Sequence, residues 1–185
     1  MVSAPARTEV WDAARIAREM RDAGAVRFGE FTLASGAKSD VYIDVKRAWP
    51  EPRRLRGLAR ALAARAGREE RLAGMELGAV PLVVATALLL DRPYVVLRKA
   101  AKEHGTRQAF EGELPAGSSV LLLEDVTTSG GSLVRSVEIV RGAGARVERA
   151  VAVVDREEGA AARLASVGVR FEALLSMAEL RAARR

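Results

Sequence analysis

Residues 120 to 132, VLLLEDVTTSGGS, pass from four apolar residues through two adjacent acids into a run of hydroxyls and glycines. A short, unbroken apolar run of this kind suits a strand buried on both faces, as in a parallel sheet. Behind it, LVRSVEIVRG carries Leu133, Val137 and Val140 at helical spacing, so the stretch reads as strand, loop and helix. Glycines allow the loop to aim several backbone amides at one point. The helix start adds free N–H groups and a partial positive charge, a combination that binds phosphate. Hydroxyls of Thr127, Thr128, Ser129 and Ser132 add donors. The carboxylates of Glu124 and Asp125 would repel phosphate but accept well from the vicinal hydroxyls of a ribose, so the stretch is shaped for a phosphorylated sugar. It lacks the GK[ST] of a Walker A loop and the GxGxxG of a dinucleotide fingerprint.

Outward from this stretch, strands and helices alternate. A helix over residues 9 to 23 is expected from Val10, Trp11, Ala14, Ala17 and Met20, with Gly24 as its stop. RFGEFTLASGAKSDVYIDVKRA (27–48) reads as a small β-rich segment around a turn. An alanine-rich helix follows Pro50 and Pro52, and LAGMELGAVPLVVATALLL gives a strand, a glycine turn and a buried helix. PYVVLRK is a strand, AAKEHGTRQAFEGELPAG a polar window, and a helix from about Ser132 to Arg141 leads to the strand ERAVAVVD. A helix, a short strand and a terminal helix complete the chain. The fold class is therefore α/β, a parallel sheet with helices on both faces. Ligands of such sheets sit beyond the carboxyl ends of the strands. There YVVL leads to Arg98 and Lys99, VLLL to Glu124 and Asp125, and AVAVV to Asp155 and Arg156.

A chain of 185 residues supports one full core, so a single domain over 1–185 is expected, with residues 1 to about 48 supplying a small hood. Nothing approaches the roughly 20 apolar residues of a membrane span, and the N-terminus lacks a secretion-signal pattern. With no cysteine, disulfides and thiolate metal sites are excluded, which suits a cytoplasmic location. The net charge of +6 is dispersed, much of it on arginine-rich helical faces read as solvated, and nucleic acid is not expected as a partner. Of the 30 cationic residues only Lys38, Lys46, Lys99 and Lys102 are lysines, and His104 is the single histidine. Lys99, Lys102 and His104 share one six-residue window. Cations on one polar segment suit a leaving group that gathers negative charge, and a segment able to close would exclude water.

VLLLEDVTTSGGS resembles the phosphoribosyl pyrophosphate (PRPP) signature of type I phosphoribosyltransferases, and RKAAKEHGT (98–106) resembles the catalytic loop of orotate phosphoribosyltransferases. FTLASGAKSDVYID, GMELGAVPL and VVDREEGAAARLASVGV are similar to that family's segment over the base, its pyrophosphate-facing turn and its strand ending in a base-contacting arginine. These stretches span most of residues 28 to 175 in the family's order.

The resemblance implies transfer of the 5-phosphoribosyl group from PRPP to orotate in pyrimidine biosynthesis, giving orotidine 5′-monophosphate and pyrophosphate. It implies that Arg98, Lys99, Lys102 and His104 contact PRPP or pyrophosphate, with Lys102 and Asp125 catalytic. Glu124 and Asp125 would hold the ribose hydroxyls. Val126, Thr127, Thr128, Ser129, Gly130, Gly131 and Ser132 would complete the PRPP site, and Thr128 and Arg156 would meet orotate. Mg2+ would travel on PRPP rather than in a protein metal site, and the working unit would be a homodimer with shared active sites. Two departures stand out. Ala34 occupies a position where many members carry lysine, a charge that Lys38 or Lys46 could supply, and Glu124 replaces a frequent aspartate. The residues alone leave Arg156 open to an ion pair with Glu157 or Glu158. Alternative readings are a purine phosphoribosyltransferase, against which DREEG and the intact loop speak, and a PRPP- or purine-sensing regulator, which could have lost the loop cations.

Overall fold

The computed structural model describes residues 10–32, 36, 38–99 and 109–183. Helix α1 (Ala13–Asp22) precedes an antiparallel pair, β1 (Val26–Thr32) and β2 (Lys38–Ile43), and a short 3-10 turn at Val45–Arg47. Then come α2 (Pro52–Ala63), β3 (Arg71–Met75), α3 (Val80–Leu90), β4 (Tyr94–Leu97) and the two-residue β5 (Phe110–Glu111). The chain continues with β6 (Ser119–Thr127), α4 (Gly131–Gly142), β7 (Arg146–Asp155), α5 (Ala160–Ser166), β8 (Arg170–Ser176) and α6 (Met177–Ala182).

The second sheet has six strands in the order β5-β4-β3-β6-β7-β8. Every pairing is parallel except that of β5 with β4. That short antiparallel edge lies inside the window read from sequence as merely polar, because two residues carry no periodicity to detect. From β3 the chain first moves outward to β4 and later returns to β3's other side as β6. The crevice between the carboxyl ends of β3 and β6 is thus the topological switch point, where open α/β sheets bind ligands.

Alternation along β6 feeds two cores. Leu121 and Leu123 join Val151, Val153, Leu82 and Val83 on the face covered by α2 and α3, while Val120 and Leu122 join Leu133, Val137 and Val140 of α4 on the other. A strand buried on both faces explains its lack of polar alternation. The acids are not past the strand's end, as the sequence suggested, but inside it. Val126 and Thr127 pair with Val154 and Asp155, since the ladder with β7 outlasts the apolar run. Extending the period of two places Glu124 toward α4 and Asp125 toward α3.

Elsewhere the expected patterns shift. In α1 the buried positions are Ile16, Ala17, Glu19 and Met20, while Val10 is exposed. Helix α3 is buried through Leu82, Val83, Thr86 and Ala87, yet its last turn leaves Leu88 and Leu89 uncovered. The arginines of α2 are only partly a solvated face. Arg53 and Arg54 reach the Glu19 carboxylate at 2.6 and 3.3 Å, so a buried acid of α1 is neutralised from α2.

Trp11 lies over Gly57 in the middle of α2. A Cβ at residue 57 would come within 1.9 Å of the indole ring, so the glycine creates the seat for the tryptophan. Replacing Gly57 with alanine should therefore destabilise the protein although alanine is the better helix former by about 1 kcal/mol. Overpacking of this kind costs roughly 1–3 kcal/mol, and thermal unfolding should register a Tm lower by about 2–10 °C. An unchanged or raised Tm would mean that Trp11 does not need this seat.

Candidate active site

The crevice at the switch point is a cleft of about 420 Å³ lined by Lys46, Met75, Glu76, Leu77, Gly78, Lys99, Glu124, Asp125, Val126 and Ser132. Four places in the chain converge here: the end of β3 and its turn into α3, the end of β4, the β6–α4 connection, and the 3-10 turn after the hood pair. A larger hollow of about 540 Å³, with Arg71, Asp91, Arg92 and Tyr94 among its lining residues, lies at the opposite rim, where β3 and β4 begin. It is remote from the acids.

Glu124 is buried, and its carboxylate accepts from the Ser132 hydroxyl at 3.1 Å and from the Asp125 amide at 3.2 Å. Desolvation by burial, followed by its interaction with the Asp125 side chain, pushes the Glu124 carboxyl up to about 8, more than the two hydrogen bonds offset. Asp125 faces the turn after β3. A Cβ at residue 78 would lie 2.2 Å from Asp125 Oδ2, so only glycine lets that turn pass so close to the carboxylate.

The connection between β6 and α4 has the strand, loop and helix form expected. Gly130 adopts φ +77°, left-handed backbone that glycine enters freely, and caps α4 without a side-chain hydrogen bond. The first amides of α4 are therefore left without a side-chain cap, as an anion site requires. Thr128, Ser129, Gly131 and Ser132 are exposed, whereas Thr127 is buried and Val126 lines the cleft. Arg163 donates to the Ser129 hydroxyl at 3.4 Å.

The cation-bearing segment is rooted in the sheet. The Arg98 amide donates to the Ala109 carbonyl at 2.8 Å, and the Arg98 guanidinium meets Glu111 at 2.6 Å. The Lys99 amide donates to Glu76 Oε1 at 3.0 Å, joining the end of β4 to the turn after β3. Lys102 and His104 lie outside the described residues, as does Ala34. Of the two lysines that could supply the charge missing at Ala34, Lys38 donates to Thr32 at 3.1 Å and faces a separate hollow beside Glu30, Phe31, Ser39 and Asp40. Lys46 lines the cleft with Asp125.

Arg156 makes the ion pair that the residues alone left open, with Glu158 at 2.8 Å. Its other arm reaches Ser39 of β2 at 3.4 Å, so the guanidinium sits at the junction of sheet and hood. Glu76 and the close approach of Gly78 to Asp125 were not singled out from sequence. GMELGAVPL marks the turn, but one glycine in it looks like another until the strands are placed side by side.

The environment of Glu124 has a pH consequence. Below its ordinary value of 4.5 the group is protonated in both folded and unfolded chains; between 4.5 and about 8 only the folded chain keeps the proton. Its contribution to stability is therefore lost as pH rises through that window. The Tm of ligand-free protein should fall with pH more steeply than that of Glu124→Gln, the two curves diverging by several degrees at pH 8. Parallel curves would show that Glu124 titrates alike in the folded and unfolded chains.

A model of the phosphoribosyl transferase domain matches residues 51–174. The chain is 48% identical over 165 residues to the orotate phosphoribosyltransferase of Natronomonas pharaonis, covering 89% of this chain and 95% of that one. Among solved structures, Leishmania donovani UMP synthase superposes with a TM-score of 0.82 at 33% identity, over 92% of this chain and 38% of that longer one. Mycobacterium tuberculosis orotate phosphoribosyltransferase in complex with PRPP gives 0.76 at 30% identity, over 92% of this chain and 99% of that one. With the acid pair and uncapped helix start at the switch point, these likenesses show that the chain belongs to the orotate phosphoribosyltransferase family.

Proposed function

We propose that this chain joins orotate to PRPP, forming orotidine 5′-monophosphate and pyrophosphate, and that the cleft at the switch point is where it does so. One observation carries the assignment of the site. Glu124 and Asp125 stand on β6 immediately before an exposed hydroxyl-rich turn and the uncapped start of α4, which puts hydroxyl acceptors and phosphate donors on one strand–turn–helix connection. In the reaction the ring nitrogen of orotate bonds to C1 of the ribose as the bond from C1 to the diphosphate oxygen breaks, its electron pair leaving with the diphosphate. Positive charge on the sugar peaks between the two events, and Asp125 would stabilise it. Orotate arrives as an anion, so the protein's share is orientation and electrostatics rather than covalent catalysis.

The 5′-phosphate rests on Thr127 to Ser132, and Arg98, Lys99, Lys102 and His104 attend the diphosphate. The described residues hold no cluster of three or more acids or histidines able to cage a metal, while the two hard carboxylates suit a hydrated Mg2+ carried on PRPP, which would neutralise diphosphate charge. Thr128 and Arg156 receive orotate. The substrate carboxylate would take the place of Glu158 on the Arg156 guanidinium, an exchange between like partners. The single domain, its hood and a cytoplasmic location belong to the same proposal.

Given protein, PRPP, Mg2+ and one base at a time, orotate should yield nucleotide, whereas hypoxanthine, guanine and adenine should not, since they lack a carboxylate for Arg156. Turnover of a purine with orotate inert would overturn the assignment.

We also propose a homodimer in which Lys102 of one subunit serves the PRPP held by its partner's Thr128 to Ser132. The uncovered Leu88 and Leu89 at the end of α3 support an apolar contact between subunits. Inactive Lys102→Ala and inactive Asp125→Asn proteins, dissociated and reassociated together, should recover about a quarter of wild-type activity, because about half the dimers are mixed and each regains one clean site of two. Absence of recovery despite demonstrated exchange would assign Lys102 to its own chain's site.

A further inference from the structure

One cation in the cleft has no part in the roles assigned above. Lys46 follows the hood pair, lines the cleft with the turn Glu76–Gly78, Lys99 and Asp125, and is half exposed, its ammonium 2.8 Å from Asp44 Oδ1. We infer that Lys46 is a diphosphate-binding residue, contacting the leaving group of PRPP across the turn that follows β3. The inference rests on the proposed reaction and adds to it a contact from the hood side.

Position decides which anion Lys46 meets. The 5′-phosphate belongs with the α4 start, and the orotate carboxylate with Arg156 at the Ser39 junction. The remaining anion is the diphosphate, which leaves from the carbon next to the hydroxyls held by Glu124 and Asp125. It must lie in the part of the cleft bounded by Lys99, the Glu76–Gly78 turn and Lys46. Asp44, with the nearby Asp125 carboxylate contributing, keeps the Lys46 ammonium above the usual lysine range despite partial burial, so the group is charged whenever substrate arrives. An ion pair this exposed is worth little in water, and a diphosphate carrying several charges can draw the ammonium away from Asp44. A lysine suits this better than another arginine. Its compact charge on a flexible stem can swing between two partners without a fixed planar geometry.

The alternative role for Lys46 is to neutralise Asp44, and the experiment separates the two. Binding of pyrophosphate with Mg2+, and of PRPP, is measured by calorimetry for wild type, Lys46→Ala, Lys38→Ala, Asp44→Asn and the Asp44→Asn/Lys46→Ala double variant, alongside steady-state kinetics. Lys46→Ala should bind both ligands about 10- to 100-fold more weakly, the loss of one charge-assisted contact. KM for PRPP should rise accordingly, with a much smaller change in KM for orotate, while Lys38→Ala stays within about twofold because no phosphate contact is removed. The double variant should remain as weak as Lys46→Ala. Recovery of pyrophosphate binding in the double variant, or unchanged binding in Lys46→Ala, would overturn the inference while leaving the proposed reaction intact. Wild type that binds neither PRPP nor pyrophosphate and makes no nucleotide from orotate would overturn both.

Discussion

Two carboxyl groups on consecutive residues must share one cleft, and the surrounding structure is arranged to tolerate that. Side-chain alternation in β6 turns Glu124 toward α4 and Asp125 toward α3, which moderates their repulsion without removing it. On one side the Ser132 hydroxyl satisfies Glu124. On the other, Gly78 leaves out the Cβ that would occupy the place of Asp125's oxygens. Burial holds Glu124 in its neutral form up to about pH 8, so the ligand-free site avoids two full charges at neutral pH. A ribose that supplies hydroxyl donors, or a cation carried with it, favours the ionised form. If the ribose binds here as proposed, its binding and proton release at this pair are linked.

The sheet order brings the acids and the turn together. Because β6 returns beside β3 rather than beyond β4, the β3–α3 turn and the β6–α4 turn open onto one crevice. Contacts from distant parts of the chain fix the hood beside it. Arg181 of α6 meets Asp40 of β2 at 2.8 Å, and Arg156 at the end of β7 reaches Ser39. Exposed pairs such as Arg181–Asp40 contribute little stability singly. Apolar packing of Val26, Val41 and Val45 against the core holds the hood down, and the polar contacts fix its orientation.

The sequence was most legible where one physical requirement acts along a short segment. Leu133, Val137 and Val140 are the buried stripe of α4, and the apolar run at 120 to 123 is a strand covered on both faces. Legibility failed where the deciding neighbour is remote. In α1, Val10 satisfies the helical period but lies before the helix, while Ile16, which the chosen stripe omitted, is buried. Glu19 is buried where Arg53 and Arg54 arrive from another helix to pair with it. The site divides in the same way. The turn from Thr127 to Ser132 is contiguous and could be read directly, whereas Gly78, Glu76 and Lys46 come together only because distant segments of the chain meet at the cleft.

The link between Glu76 and Lys99 shows how such a meeting serves the chemistry. Glu76 follows the end of β3, Lys99 lies just beyond the end of β4, and the amide-to-carboxylate bond at 3.0 Å ties the two strand ends together. Arg98, next in line, is held on its other side by Ala109 and Glu111. The root of the cation-bearing segment is thus fixed to the strands through the Lys99 amide and the Arg98 contacts. Lys46 approaches from the hood side on a flexible stem, its ammonium paired with Asp44. If the diphosphate binds as proposed above, it meets a segment anchored to two strands on one side and the adaptable charge of Lys46 on the other, so the two sides of the cleft differ in how far their cations can follow the leaving group.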